Sequence, residues 1–216
     1  MGMRFRDRAE AGQRLADGLP QFRERPHTVV LGLARGGVPL AAAAASALYL
    51  PFGAVLVRKL GIPGRSETAF GALAWSQGDV VRLINRPLKD HIQALGISEA
   101  ALEAVEAHER AELVRRAREY PGVDHDLRGK TTILVDDGLA TGATMRAAVE
   151  AVRSAGARTV VAAVPVASLE AATSLGRVCD LVHALHIPGK FNAVGAFYEH
   201  FEQLTDAEVM KQLEGA

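Results

Sequence analysis

The sequence predicts an α/β fold, a doubly wound and mainly parallel sheet within one domain of 216 residues. Three observations lead there. Apolar, β-branched segments alternate with segments of helical periodicity, the pattern of βαβ units whose crossover helices cover both faces of a parallel sheet. Residues 133–144 read ILVDDGLATGAT, a buried strand that runs into two acids, a Gly- and Thr-rich turn and a helix. Hydrophobic residues make up 49% of the chain, and 25 basic side chains balance 25 acidic ones, which suits a substantial core.

Taken in order, Asp7 and Glu10 form a D-x-x-E helix start, and Ala11, Leu15 and Leu19 give an apolar face that ends before Pro20. Residues 28–33 read as a strand, Ala34-Arg35-Gly36-Gly37 as a tight turn, and 38–48 as an Ala-rich helix narrow enough to pack closely on a sheet. Residues 54–58 are the next strand. Two shorter β-like segments, 69–75 and 80–84, flank the turn Ser76-Gln77-Gly78-Asp79 and suggest a hairpin. Ser98 then caps a long helix to Tyr120, with Ala101, Leu102, Val105, Leu113 and Val114 on one side and charge elsewhere. That pattern describes a mostly solvated helix, on the surface or in a dimer interface, and the interleaved Glu103, Glu106, Glu109 and Glu112 argue against RNA binding. After Pro121-Gly122 the alternation resumes with strand 131–135, helix 144–154, strand 159–165, helix 168–175 and strand 178–185. A helical insertion therefore occupies about 86–122, and a small C-terminal hood about 186–216.

Composition narrows the function classes. Zero net charge gives no steering field for nucleic acid or membrane. The opening MGMRFRDRAEAG lacks the apolar stretch of a signal peptide, and no run approaches the ~18 apolar residues of a membrane span, so a cytoplasmic location is the default expectation. Cys179 is the only cysteine, which excludes an internal disulfide and a thiolate metal cluster, and it reads as core. His183 and His186, three apart in an expected strand, point to opposite faces and make a poor metal pair.

The 133–144 string carries the chemistry. Asp136 and Asp137 stand at the carboxyl end of a strand, where ligands of parallel sheets bind. The helix that follows leaves unpaired N–H groups in its first turn, and with the helix dipole and the hydroxyls of Thr141 and Thr144 they form an anion site. Each charge-assisted hydrogen bond of this kind is worth roughly 1.5–3 kcal/mol, so four or five hold a phosphate dianion without a lysine. Neither a Walker A loop nor a dinucleotide G-x-G-x-x-G is present. In isolation Asp137 also suits a turn and Thr141 an N-cap, but the complete string behind a strand favours a sugar-phosphate site.

Over those dozen positions the chain resembles the phosphoribosyl-pyrophosphate (PRPP) signature of the type I phosphoribosyltransferases: apolar strand, two acids, two variable residues, A-T-G-x-T. The resemblance implies that a nitrogenous base displaces pyrophosphate from C1 of PRPP. It assigns Asp136 and Asp137 to the ribose hydroxyls, directly or through Mg²⁺, and Ala140, Thr141, Gly142, Ala143 and Thr144 to the 5-phosphate. GLARGG at 32–37 looks like the family's pyrophosphate turn, with Arg35, Gly36 and Gly37 as its binding residues and a cis peptide implied at Ala34–Arg35. Arg58-Lys59 resembles the R-K pair of the adenine and orotate members, which gives Lys59 a catalytic place beside pyrophosphate. Residues 61–68 are the expected closing loop.

Two departures leave the acceptor open. The 6-oxopurine members carry a third aspartate where this chain has Ala140, which makes that position look like the adenine or orotate members. Yet IPGKFNAVGAFY partly resembles the 6-oxopurine base pocket, with Phe191 as the candidate stacking residue or else a core aromatic. The expected function is a Mg²⁺-assisted phosphoribosyltransferase of nucleotide salvage, with a homodimer as a possible assembly. The alternative is a PRPP- or nucleotide-binding regulatory module without turnover.

Overall fold

A computed structural model of the protein describes residues 3–76, 78–123 and 125–214. Asp7 caps helix α1 (Arg8–Asp17) by accepting the Glu10 N–H at 2.8 Å. Strand β1 (Thr28–Leu33) is buried at every residue and leads through the Ala34–Gly36 turn into α2 (Gly37–Leu48) and β2 (Phe52–Val55). The next three strands are β3 (Val57–Ile62), β4 (Arg65–Ser76) and β5 (Asp79–Ile84), followed by helices α3 (Arg86–Ala94) and α4 (Glu99–Glu119). The chain closes with β6 (Thr131–Val135), α5 (Ala143–Ser154), β7 (Thr159–Val166), α6 (Leu169–Leu175), β8 (Leu181–His186) and α7 (Asp206–Leu213).

The central sheet has the order β2-β1-β6-β7-β8, and all its pairings are parallel. Side chains alternate between its faces as strand geometry requires. Val30, Ile133, Val135, Val161 and Ala163 meet α1 and α2, whereas Leu31, Leu33, Leu134, Val160 and Ala162 meet α5 and α6. The crossover after β1 runs outward to β2, and the chain then returns to place β6 on the other side of β1. The strand order reverses between β1 and β6, and the turns at their carboxyl ends open onto one crevice.

A second, antiparallel sheet of order β3-β4-β5 lies over α5, so α5 is covered by the central sheet on one side and by Val57, Ala72 and Ala74 on the other. Residues 54–58 therefore do not form one strand. The Val55 carbonyl still accepts from Ala34 in the parallel sheet at 3.1 Å, while that of Leu56 already accepts from Trp75 of β4 at 3.0 Å. Leu56 is buried and carries no turn signal, which is why the chain changes sheets without punctuation in its sequence. The expected hairpin closes with Ser76 opposite Asp79; Gln77 of its turn lies outside the described residues. The expected closing loop 61–68 is the β3–β4 hairpin end, with Gly64 at φ +77° supplying the turn.

Helix α4 has the expected bounds, with Ser98 accepting the Ala101 N–H as N-cap, but it is less solvated than its charge suggests. Leu102 and Leu113 are fully buried beside Leu60, Phe70 and Leu73 of the small sheet, together with Ile92 of α3 and Val209 and Leu213 of α7. Arg58–Glu109 (2.6 Å) and Arg82–Glu106 (2.7 Å) fasten the same helix to β3 and β5. The last strand starts at Leu181 rather than 178, because the N–H groups of Val178 and Cys179 both complete the turn of α6 on the Leu175 carbonyl at 2.9 Å. Cys179 is half-buried there, and burial pushes its thiol up to about 11. No helix among the described residues is long and apolar enough to cross a membrane.

Glycine permits a close approach where α2 begins against β6. A Cβ on Gly37 would overlap the carbonyl oxygen of Val135, the last residue of β6. Gly37→Ala should therefore destabilise the protein by about 1–3 kcal/mol, the usual range for overpacking against fixed atoms. Urea denaturation reads this as a lower midpoint with an unchanged slope. A midpoint equal to the parent's would show that the crossing is looser than described.

Candidate active site

Asp136 and Asp137 follow the last residue of β6 and are half-buried at the reversal point. The Asp137 N–H donates to Oδ1 of Asp136 at 2.9 Å, and its carbonyl oxygen accepts from the Tyr198 hydroxyl at 2.7 Å. Burial, and then the charge of Asp137, push the Asp136 carboxyl well above the ordinary carboxylate value. Burial also raises Asp137, against the pull of Arg8, whose Nη2 lies 3.0 Å from Oδ2. Two adjacent carboxylates without a third ligand do not cage a cation. Among the described residues no group of three or more His, Cys, Asp or Glu is clustered for a metal. The pair does suit Mg²⁺, an ion that takes one or two carboxylates and fills its shell with water and substrate phosphate.

The turn after the acids is tied down from β7 and α6. Leu139 donates to the Val166 carbonyl and Ser168 to that of Leu139, both at 2.9 Å, while the Ser168 hydroxyl reaches the Ala140 carbonyl at 2.7 Å. Gly142 caps α5 at φ +73° and ψ 4°, and Thr141 Oγ1 accepts from Ala143 at 3.4 Å. Arg146 is the residue that donates back to Gly142, at 2.9 Å. The N–H groups ahead of it, Thr144 and Met145 among them, lack intrahelical acceptors and form an anion hollow. A side chain on Gly142 would face Ala171 and Leu175 rather than that hollow, so its glycine serves the left-handed backbone and not phosphate clearance.

Across the crevice, the Ala34–Arg35 peptide is cis, as the family resemblance implies. Gly36 leaves space that the Asp137 carboxylate fills. Lys59 lies within β3 opposite Ala72, not at a strand end. Ala34, Lys59, Thr144 and the 61–64 hairpin end line one cavity of about 600 Å³. Three segments separate in sequence thus share one wall. A second hollow of about 450 Å³ on the other side of the turn is lined by Thr141, Ala143, Arg146 and the β4–β5 edge.

Other expected residues sit differently. The Asp136–Asp137 pair is not in the wall of the larger cavity but beside it, against Gly36. Arg35 reaches Asp206 at the start of α7, 3.5 Å away, and Phe191 packs on Phe197 with ring centroids 5.7 Å apart. Phe197 in turn meets the edge of His186, whereas His183 is turned to Gly18 at the end of α1. Sequence reasoning missed Arg8, Tyr198 and Asp206. Arg8 is one arginine among several near the N-terminus, and nothing local marks it as the partner of a residue 129 positions away. Thr205 with Glu208 is a capping-box pattern that would have located α7, and Asp206 with it.

The family described as phosphoribosyl transferase domain matches residues 12–177. Two proteins of Mycobacterium tuberculosis are 41% identical to this chain over 214 residues: "Putative phosphoribosyl transferase MT0597" of strain CDC 1551 / Oshkosh and "Putative phosphoribosyl transferase Rv0571c" of strain ATCC 25618 / H37Rv. The matches cover 98% of this chain and 47% of each relative, so the chain spans about half the length of the curated relatives it matches. The crystal structure of TT1426 from Thermus thermophilus superposes with a TM-score of 0.79 at 41% identity, covering 98% of both chains.

Asp206 joins the site to α4. Its carboxylate accepts from the Tyr120 hydroxyl at 2.7 Å and from Arg115 at 3.0 Å, with Arg116 and Arg35 at 3.5 Å. Burial alone would raise this carboxyl, but the Tyr120 hydrogen bond and the three arginines outweigh it and hold it below the ordinary value of 3.8. A depressed folded value means stability that is present above about pH 4 and lost as pH falls through the folded value. Asp206→Asn should therefore melt earlier than the parent at pH 7, and the difference should shrink below pH 4. A melting difference that is constant with pH would rule out the charged network as its cause.

Proposed function

The chain belongs to the phosphoribosyl transferase family, and from that premise we propose that it transfers the 5-phosphoribosyl group of PRPP to a nitrogenous base, releasing pyrophosphate with the help of Mg²⁺. The observation that carries this reading is the shared wall of the 600 Å³ cavity, where the pyrophosphate turn, Lys59 and the phosphate turn meet.

Each part has a task set by its chemistry. The first-turn N–H groups of α5 and the hydroxyls of Thr141 and Thr144 hold the 5-phosphate and so fix C1 of the ribose in line for displacement. Asp136 and Asp137 accept hydrogen bonds from the ribose hydroxyls and offset positive charge that develops on the ring as the C1–oxygen bond to pyrophosphate breaks. Lys59, Arg35 and the Gly36–Gly37 amides face the leaving pyrophosphate, and Arg35 is free to do so only as far as Asp206 releases it. Asp136 and Asp137 would hold Mg²⁺, which would supply charge neutralisation for the leaving group. To the 61–64 hairpin end, which lines this cavity, we assign the task of limiting water at the reacting carbon. Phe191 is our candidate for stacking on the base, and Ala140 offers it no carboxylate. We place this activity in cytoplasmic nucleotide salvage.

Calorimetric titration with PRPP and Mg²⁺ tests the donor half. The folded chain should bind, and Asp137→Asn should weaken binding by roughly tenfold or more, the loss of one charge-assisted hydrogen bond. Failure of the correctly folded parent to bind would refute the reading. Pyrophosphate release across a panel of nucleobases then tests turnover: release with at least one base is expected, and binding without release for any base would favour a regulatory module.

A further inference from the structure

The side chain of Asp137 is held from the far end of the chain's opening helix. Arg8, the first residue of α1, directs Nε and Nη2 to Oδ2 of Asp137 at 3.2 and 3.0 Å. Its Nη1 donates to the Glu202 carbonyl oxygen at 2.9 Å, and its guanidinium lies 4.0 Å from the centroid of the Phe201 ring. All three guanidinium nitrogens are engaged. The side chains of Arg8 and Asp137 are only 12% and 17% exposed, which sets this pair apart from solvent-screened surface ion pairs.

The groups that hold Arg8 are themselves fixed. Phe201 stacks on Tyr198 with centroids 4.8 Å apart, and Tyr198 bonds the Asp137 carbonyl. Phe5 donates to the Phe197 carbonyl and accepts from Glu199, both at 2.8 Å, which anchors the segment just before α1 to the hood. Oδ2 of Asp137 is enclosed by this guanidinium and by the bare Cα of Gly36. The hydrogen bonds that the Asp137 carboxylate accepts from Arg8 both go to Oδ2. The fork therefore pins one carboxylate oxygen and leaves Oδ1 outside its grip.

We propose that Arg8 is a positioning residue for sugar recognition: by occupying Oδ2 it fixes the Asp137 carboxylate so that Oδ1 meets a ribose hydroxyl. This rests on the reading of the acid pair as the ribose site. Two neighbouring carboxylates repel each other and would otherwise adopt whichever rotamers separate them most. Arg8 removes that freedom for Asp137 before substrate arrives. Lysine cannot substitute fully, because an ammonium is a point donor without the planar fork.

The test uses ribose 5-phosphate, its 2-deoxy and 3-deoxy analogues, and inorganic phosphate, each titrated into the full chain and into Arg8→Gln and Arg8→Lys, with melting followed in parallel. The parent should prefer ribose 5-phosphate over at least one deoxy analogue by about tenfold, the value of a hydrogen bond to a charged group. Arg8→Gln should lose most of that preference while its affinity for inorganic phosphate stays within about twofold of the parent's, and Arg8→Lys should fall between. A merely structural role predicts that all four probes weaken together, or that the preference survives in both variants, and either result overturns the proposal. Should Arg8→Gln fail to fold, Arg8→Lys decides: an undiminished preference overturns the proposal. If the parent binds the sugar phosphates without any preference, the ribose reading itself fails, a result distinct from a parent that discriminates while the variants discriminate equally.

Discussion

The fold turns on a close crossing at the reversal point of the central sheet. The start of α2 passes over the end of β6 with the Cα of Gly37 against the Val135 carbonyl and that of Gly36 against the Asp137 carboxylate. Strand order β2-β1-β6 makes β1 and β6 neighbours whose crossovers depart in opposite directions, so both carboxyl-end turns open into the same notch. Side chains at 36 or 37 would push the two turns apart. Because they are absent, the backbone of the 34–37 turn lies directly against the end of β6 and the Asp137 carboxylate.

Around that crossing, charge is arranged by pairing. The acid pair is half-buried, and burial together with mutual repulsion opposes its ionisation. Arg8 counters this at Asp137, and Asp206 draws Arg35 into a network with Arg115, Arg116 and Tyr120. The C-terminal stretch serves both ends: Tyr198, Phe201 and Glu202 brace the acid side, and Asp206 the arginine side. Removing one member of such a shielded pair leaves an uncompensated charge, which is costlier than losing a surface contact. The opening helix and the hood are thereby coupled to the geometry of the crevice.

Local signals were the legible ones. β1 and β6 are continuous apolar runs, Ser98 and Asp7 are side-chain N-caps, and ILVDDGLATGAT places acids, turn and helix in order, so β1, β6, α4 and α5 have the expected bounds to within a residue, while α1 ends at Asp17, two residues before the expected Leu19. Contacts made by distant parts of the chain left no such trace. Leu56 passes from one sheet to another with no Gly or Pro, because the change depends on which strand each carbonyl finds. The charge-rich α4 hides two fully buried leucines that matter only once the small sheet is in place. Of the Arg58-Lys59 pair that the sequence singles out, Arg58 is bound by Glu109, so only the lysine lines the cavity without an ion-pair partner among the described residues.

A crystal structure of the chain with ribose 5-phosphate tests most directly whether this notch is a ribose-phosphate site. The phosphate should lie on the first-turn N–H groups of α5, near Thr144 and Met145, with the sugar hydroxyls within hydrogen-bond distance of Asp136 and Asp137. A sugar phosphate bound elsewhere on the protein, or seated on α5 with its hydroxyls turned away from both carboxylates, would contradict it.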